Sequence, residues 1–227
     1  MSSRILVVED ERDLRTAMAD ALTADGLEVD VARDGRAALD TLAAAAPDVV
    51  LLDIGLGLGV DGIEVCRRLR RLDDNVYVMM LTARGEEADV VQALEAGADD
   101  YVTKPVGIVE LRSRVRAALR RLGRGHDGGP RQHGRLVVEP AAQRILVGSN
   151  EVPATRTEYA LLDALMRARG AVRSRGELLH TVYGDDAYRD PRGVDVHVHH
   201  LREKLADAGG DPAWITTVRG VGYRLGP

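Results

Sequence analysis

Short apolar runs recur along residues 4–122, and a longer amphipathic stretch separates each run from the next. This period constrains the chain more than any other feature. The runs are Ile5–Val8, Val29–Val31, Val49–Leu52, Val76–Leu81 and Tyr101–Val102. The stretches are Leu14–Leu22, Ala37–Leu42, Ile63–Leu69, Ala88–Leu94 and Leu111–Leu119. A strand can rejoin its neighbour in parallel only through a crossover, and a helix with one apolar face supplies the crossover and a cover for the sheet. Val49-Val50-Leu51-Leu52 is apolar at every position, as expected of a strand buried on both faces. The expected class is therefore α/β, a doubly wound five-stranded parallel sheet.

The pattern changes in the second half. Gly123–Gly134 holds five glycines and one proline with almost no apolar residues, and it reads as a linker. Beyond it, Leu136–Val138 and Ile145–Val147 are expected to be antiparallel strands, with Gly148-Ser149-Asn150 as a turn. Helical patterns follow over Glu158–Met166, Arg175–Val182 and Val194–Leu205. A last pair of strands, Ile215–Val218 and Gly222–Leu225, hinges at Gly220. This order predicts a smaller α+β domain of winged helix-turn-helix type. The expected division is 1–122, a linker over 123–134, and 135–227.

Composition narrows the function. Phe is absent and aromatics make up 3% of the 227 residues, so the core must be built from Leu, Val, Ile and Ala. No apolar run approaches the roughly 18 residues needed to span a bilayer. The first residues carry no signal-peptide pattern, and the lone Cys66 cannot form an internal disulfide; no membrane partner and a cytoplasmic location are expected. The net charge of −5 conceals a split: residues 1–122 hold 16 Lys+Arg against 23 Asp+Glu, whereas residues 131–227 hold 14 against 12. The acidic half would repel a polyanion, so any nucleic-acid affinity must come from local placement of Arg in the second half.

In a doubly wound sheet, ligands bind beyond the carboxyl ends of the strands. The first strand there ends in Glu9-Asp10, the third in Asp53, the fourth in Thr82, and the fifth in Lys104-Pro105. Each feature alone has an ordinary explanation: an acidic residue after a strand is often a helix cap, and Lys-Pro is often only a turn. All of them on one rim make a site. Three adjacent carboxylates repel one another, and a hard divalent cation with oxygen ligands, Mg²⁺, relieves the repulsion. Lys104 can neutralise a phosphoryl oxygen, Thr82 can donate to another, and a carboxylate such as Asp53 can act as nucleophile.

The order Glu9-Asp10, Asp53, Thr82-Ala83, Ala98-Asp99-Asp100-Tyr101 and Lys104-Pro105 resembles the receiver domain of bacterial two-component response regulators, a flavodoxin-like fold. The resemblance implies that Asp53 accepts phosphate from a cognate sensor histidine kinase. It implies Mg²⁺ held by Asp10 and Asp53, with Glu9 through water and the Gly55 carbonyl as a further ligand. Thr82 and Tyr101 would form a switch pair, and the Lys104–Pro105 peptide would be cis. Asp99, Asp100, Glu110, Arg114 and Arg121 match charged positions of a two-fold interface, which implies a homodimer on phosphorylation. Two departures stand out. The loop from Ile54 to Val60 is one residue longer than usual, with Gly57 at a customary Pro, and Val106 replaces a customary Phe.

In the second half, Val194, Val198, Leu201 and Leu205 form one apolar stripe. The opposite face carries Arg192, Val196, His199, His200 and Glu203, where Val196 could meet a thymine methyl and the others phosphates or base edges. His197, His199 and His200 lack good metal-ligand spacing. Arg219 sits at the tip of a glycine-flanked turn and could enter a narrow minor groove. The segments Thr157-x-Tyr159, Arg175-Gly176-x-Leu178-Leu179, Val194-Asp195-Val196-His197-Val198, Leu201-Arg202-x-Lys204-Leu205 and Thr217-Val218-Arg219-Gly220-Val221-Gly222-Tyr223-Arg224-Leu225 resemble the OmpR/PhoB-type winged-helix domain. That resemblance implies double-stranded promoter DNA as a partner, tandem half-sites, RNA polymerase as a further partner, and DNA contacts from Arg192, Val196, His197, His199, His200, Arg202, Thr217, Arg219 and Tyr223. His199 and His200, where relatives often carry Arg or Lys, would make binding pH-sensitive.

The expected function is a phosphorylation-switched transcriptional regulator whose own chemistry is confined to gaining and losing phosphate at Asp53. Two alternatives stay open at this point: a Mg²⁺-dependent phosphatase, and a constitutive DNA-binding regulator with an atypical receiver.

Overall fold

The computed structural model describes residues 3–57, 59–72, 75–82, 87–123, 129–183 and 193–226. The chain divides into two compact units, Met1–Gly123 and Arg124–Pro227.

The first unit alternates strand and helix throughout: β1 (Arg4–Val8), α1 (Arg12–Ala24), β2 (Glu28–Ala32), α2 (Gly35–Ala44), β3 (Val49–Asp53), α3 (Gly62–Leu72), β4 (Tyr77–Thr82), α4 (Glu87–Glu95), β5 (Asp100–Thr103) and α5 (Ile108–Gly123). All five strands are parallel, in the order β2-β1-β3-β4-β5. Side chains alternate across the sheet. Leu6, Val8, Val50, Leu52, Val78 and Met80 therefore face one core, and Ile5, Val7, Val49, Leu51, Met79 and Leu81 face another. Each fully buried Val, Leu or Ile contributes roughly 1.5–3 kcal/mol, so the central strands β1, β3 and β4 anchor the rim at their carboxyl ends. Asp34 caps α2 by accepting the Ala37 amide at 2.8 Å.

The second unit begins with an antiparallel sheet of β6 (Arg131–His133), β7 (Leu136–Glu139), β8 (Arg144–Val147) and β9 (Asn150–Val152). Helices α6 (Arg156–Arg167), α7 (Arg175–Tyr183) and α8 (Gly193–Asp207) follow. A 3₁₀ turn at Pro212–Trp214 leads into β11 (Ile215–Val218) and β12 (Gly222–Leu225), and the two-residue β10 (Arg173–Ser174) pairs with β12 on its free side. This is a winged-helix arrangement. Its core is aliphatic, with Tyr159, Tyr183 and Tyr223 as its buried aromatics. A capping box starts α6: the Thr155 hydroxyl accepts the Glu158 amide at 3.3 Å, and Glu158 accepts the Thr155 amide at 2.8 Å.

Three details differ from expectation. Arg131–His133, expected within the linker, pairs with β7 as β6, and α5 runs to Gly123. Asn150, expected in a turn, opens β9, so the glycine turn joins β8 to β9. Strand β10 is too short to carry any periodic signal. Among the described residues, no helix is long and apolar enough to cross a membrane.

Candidate functional site

The rim of the parallel sheet collects the acidic residues. Glu9 follows β1 and is buried, Asp10 beside it is exposed, and Asp53 closes β3 and is buried. Their carboxylate oxygens lie within 4.8 Å of one another. Lys104, just beyond β5, places its ammonium 2.6 Å from Glu9 Oε2 and 2.9 Å from Asp53 Oδ2. Burial pushes the Glu9 carboxyl upward, Lys104 draws it back, and the Asp53 charge raises it again, leaving it above the ordinary value. Burial alone would lower the Lys104 pKa; its hydrogen bonds and charge contacts with Glu9 and Asp53 reverse this and leave it raised. Three carboxylates facing one ammonium leave an excess of negative charge on hard oxygen donors, which is the donor set Mg²⁺ takes.

Backbone packing holds Asp53 in register. A Cβ at Gly62, the first residue of α3, would overlap the Asp53 carbonyl, and one at Gly35, the first of α2, would overlap the Val60 carbonyl. Both helices thus press directly on the segment that follows β3. The backbone at Gly55 and Gly57 lines the acidic cluster: a Cβ there would lie 3.9 Å from Asp53 Oδ2 and 3.5 Å from Asp10 Oδ2, respectively. Sequence reasoning missed Arg15. From the first turn of α1 its Nη1 donates to the Glu9 carbonyl at 2.6 Å and the Asp10 carbonyl at 3.1 Å, which holds the loop that presents both carboxylates. Its place one helical turn after the Glu-Asp pair was the available signal.

Thr82 is buried at the end of β4 and Tyr101 is half-buried on β5. Tyr101 is in register with Met80, two residues before Thr82, so Thr82 and Tyr101 share a face of the sheet. The Lys104–Pro105 peptide is cis.

In the second unit, α8 buries Val194, Val198, Leu201 and Leu205. His199 is exposed and Val196 partly so. Arg219 stands at the tip of the β11–β12 hairpin, in a turn closed by the Val221 amide on the Val218 carbonyl at 3.0 Å, with Gly220 at a φ of 74°. Thr217 is exposed on β11. Four expected DNA contacts are otherwise engaged. His197 is buried with its Nε2 3.3 Å from the Tyr183 hydroxyl, because it lies beside the apolar stripe rather than opposite it. His200 turns toward the buried Glu158, 3.9 Å away, and burial holds its pKa below the ordinary value. Tyr223 is buried and donates to Asp195 at 2.5 Å. The Arg202 guanidinium donates to the Ile215 carbonyl and to Thr217 Oγ1. Arg192 lies outside the described residues.

Residues 5–116 match the family described as response regulator receiver domain, and residues 149–225 match that described as transcriptional regulatory protein, C terminal. The chain belongs to the OmpR/PhoB family of response regulators. It is 43% identical over 223 residues to the transcriptional regulatory protein AfsQ1 of Streptomyces coelicolor, covering 98% of each chain. It is 40% identical over 228 residues to the response regulator MprA of Mycobacterium tuberculosis, covering 99% of this chain and 98% of the relative. Among solved structures, a RitR mutant matches with a TM-score of 0.79 at 29% identity over 99% of both chains. DrrB of Thermotoga maritima, an OmpR/PhoB homologue, matches with a TM-score of 0.53 at 29% identity over all of both chains. This response regulator is a phosphorylation-dependent transcriptional regulator, with a histidine kinase and DNA as partners.

Three of the charged positions expected on a dimer face, Asp99, Asp100 and Arg114, are buried within the unit. Asp99 is fully buried, accepting Arg70 Nη2 at 2.6 Å and the Val78 amide at 2.9 Å, so its carboxylate ties α3 to β4. Asp100 and Arg114 are also buried, 4.0 Å apart, and Arg114 donates to Glu110 on its own helix at 2.6 Å. Glu110 is exposed. The side chain of Arg121 lies outside the described residues.

Proposed function

We propose that Asp53 is the phosphoacceptor and that Glu9, Asp10 and Asp53, with the Gly55 carbonyl, hold Mg²⁺. The observation that carries this reading is the convergence of three carboxylates and the Lys104 ammonium on one rim. Mg²⁺, when bound, supplies charge neutralisation for the phosphoryl oxygens. An Asp53 Oδ attacks phosphorus, and the bond from phosphorus to the donor's leaving atom breaks as the new O–P bond forms. Lys104 then exchanges its Asp53 contact for a phosphoryl oxygen. Thr82 donates to another, and Tyr101, on the same face, follows the hydroxyl.

The second unit reads duplex DNA through the exposed face of α8, with Val196 and His199, and through Arg219 in the minor groove. Phosphorylation favours a dimer that places two such units on tandem half-sites, with Glu110 at its charged face and RNA polymerase as a further partner.

Incubation with Mg²⁺ and a small acyl phosphate should add one phosphate to the intact mass, and Asp53→Ala should abolish it. Undiminished labelling of that variant would sink the assignment.

A further inference from the structure

The hairpin that carries Arg219 is fastened to α8 at two rungs: Arg202 Nε holds the Ile215 carbonyl at 3.0 Å at the base, and the rung nearer the tip is gripped on both strands. Thr217 on β11 and Tyr223 on β12 are directly paired across the strands. The Tyr223 hydroxyl donates to Asp195 Oδ1 at 2.5 Å, and Arg202 Nη2 donates to Thr217 Oγ1 at 2.8 Å. Asp195 and Arg202 lie seven residues apart on α8, so they share a helix face about 10.5 Å apart along the axis. Both strands are therefore held at the same rung, from two points two turns apart on the helix.

A one-point attachment would let the hairpin pivot; two points fix its direction as well as its distance. Arg175, the first residue of α7, completes the arrangement. Its Nε donates to Asp195 Oδ1 at 2.7 Å, and its guanidinium carbon lies 5.1 Å from the Tyr223 ring centroid. The Arg202 guanidinium carbon lies 5.7 Å from the same centroid. Arg219 is two residues beyond the Thr217–Tyr223 rung, about 7 Å along the strand. Little chain is left between the fastening and the tip.

We propose that Tyr223 and Asp195 are positioning residues for DNA recognition: they lock the Arg219 hairpin to α8, so that the minor-groove and major-groove contacts act as one rigid reader. Thr217 and Arg202 form the second point of the same fastening. The proposal rests on the reading of Arg219 as a minor-groove contact. It also accounts for a carboxylate on the first turn of a DNA-facing helix: Asp195 would repel phosphate, but its charge is taken up by Arg175 and Tyr223.

The test uses the full-length protein and a duplex recovered by selection from a random pool, titrated at one fixed salt concentration. Tyr223→Phe keeps the ring and removes the hydroxyl. It should weaken binding about tenfold when Arg219 is present and by less than about twofold in an Arg219→Ala background, because the two act through one contact. Equal losses in both backgrounds would mean that Tyr223 touches DNA itself and would overturn the proposal. Asp195→Asn should also weaken binding; electrostatics alone predicts tighter binding on losing a negative charge, and that result would count against the lock. Hydrogen exchange without DNA supplies an independent reading. Hairpin amides of Ile215–Val218 and Gly222–Leu225 should exchange faster in Tyr223→Phe, and unchanged exchange overturns the proposal. A silent Arg219→Ala with faster hairpin exchange overturns its functional half, and marks the minor-groove reading as the part that failed.

Discussion

Replacing Lys104 by Met removes one positive charge from between two buried carboxylates, Glu9 and Asp53, and keeps most of the stem. Two unit charges about 4–5 Å apart repel by roughly 4 kcal/mol at an effective dielectric near 20. Protonation sets a ceiling on this loss. Keeping a proton on Glu9 at pH 7, against an ordinary value of 4.5, costs about 3.4 kcal/mol. The expected destabilisation without divalent cation is therefore about 3 kcal/mol, at the low end of the range for breaking a buried ion pair. Mg²⁺ takes over the missing charge, and at about 100 times its dissociation constant it returns about 2.7 kcal/mol. Wild-type protein gains less, because Lys104 already occupies the same oxygens. Urea unfolding followed by far-ultraviolet circular dichroism, in chelator and in saturating Mg²⁺, measures both quantities on the full chain. Trp214, the one tryptophan, lies in the second unit and its fluorescence serves as an internal control. A loss below about 1 kcal/mol in chelator, against the 3–5 kcal/mol typical of such pairs, would refute the reasoning. So would a loss that Mg²⁺ leaves unchanged.

Gly62→Ala should push the Asp53 carbonyl out of place, costing about 1–3 kcal/mol as overpacking does and slowing phosphate incorporation; a melting midpoint and labelling rate equal to wild type would exclude the contact. His200 has its folded pKa held below the ordinary 6.5 by burial, so the unfolded chain takes up the proton first as pH falls. Its contribution is complete above about pH 6.5 and is lost as pH drops below that value toward the folded pKa. The Trp214-detected urea midpoint should accordingly fall more steeply between about pH 7.5 and 5.5 in wild type than in His200→Gln, and parallel profiles would remove His200 as the cause. Glu158→Ala breaks the capping box and strands Lys204, which donates to Glu158 at 2.9 Å; a loss of about 2–3 kcal/mol in the same assay is expected, and a loss under about 1 kcal/mol would show the box to be idle.

The α/β half was legible because its two signals agree. Apolar runs such as Val49–Leu52 are long enough to mark strands, and the residues just past them carry the charge. A strand end needs no tertiary information to be located once the strand is, so Glu9, Asp53 and Lys104 could be placed on one rim from order alone. Charged residues elsewhere were harder. Asp99 reads as surface because it is acidic and adjoins Asp100, but Arg70 reaches it from α3, 29 residues away in the chain. Nothing local reports that partner. The same limit applies on α8. A period of 3.6 separates buried from exposed positions, but His197 and His200 sit at the stripe's edges, where the neighbouring helix decides. Tyr183 claims one and Glu158 the other. Strand β6 escaped for a different reason: its three residues, Arg131-Gln132-His133, are polar, and β7 alone makes them a strand.

The loop after Asp53, which the sequence resemblance implies is one residue longer than usual, is held to the helices beside it. The usual Pro would hold this segment by fixing φ; Gly57 instead takes φ 66°, a conformation that Pro cannot adopt and that L side chains rarely do. Stiffness given up there must come from contacts elsewhere, and four are present. Leu56 is buried in the core beside Leu52 and Ile63. The Val60 carbonyl presses on Gly35 at the start of α2, and the Asp53 carbonyl on Gly62 at the start of α3. The Gly62 amide also donates to the Ile54 carbonyl at 3.2 Å, which closes the loop at its base. Both ends of the loop are thus anchored to the helices that flank the acidic rim. Gly35→Ala acts on the far anchor alone. It should lower Mg²⁺ affinity by about tenfold, the scale at which supporting contacts around a metal site act, with the Asp53 anchor at Gly62 intact. Mg²⁺-dependent shifts of the Asp53 and Gly55 amides in a nuclear magnetic resonance titration would measure it, and an unchanged midpoint would show that the loop holds its shape without α2.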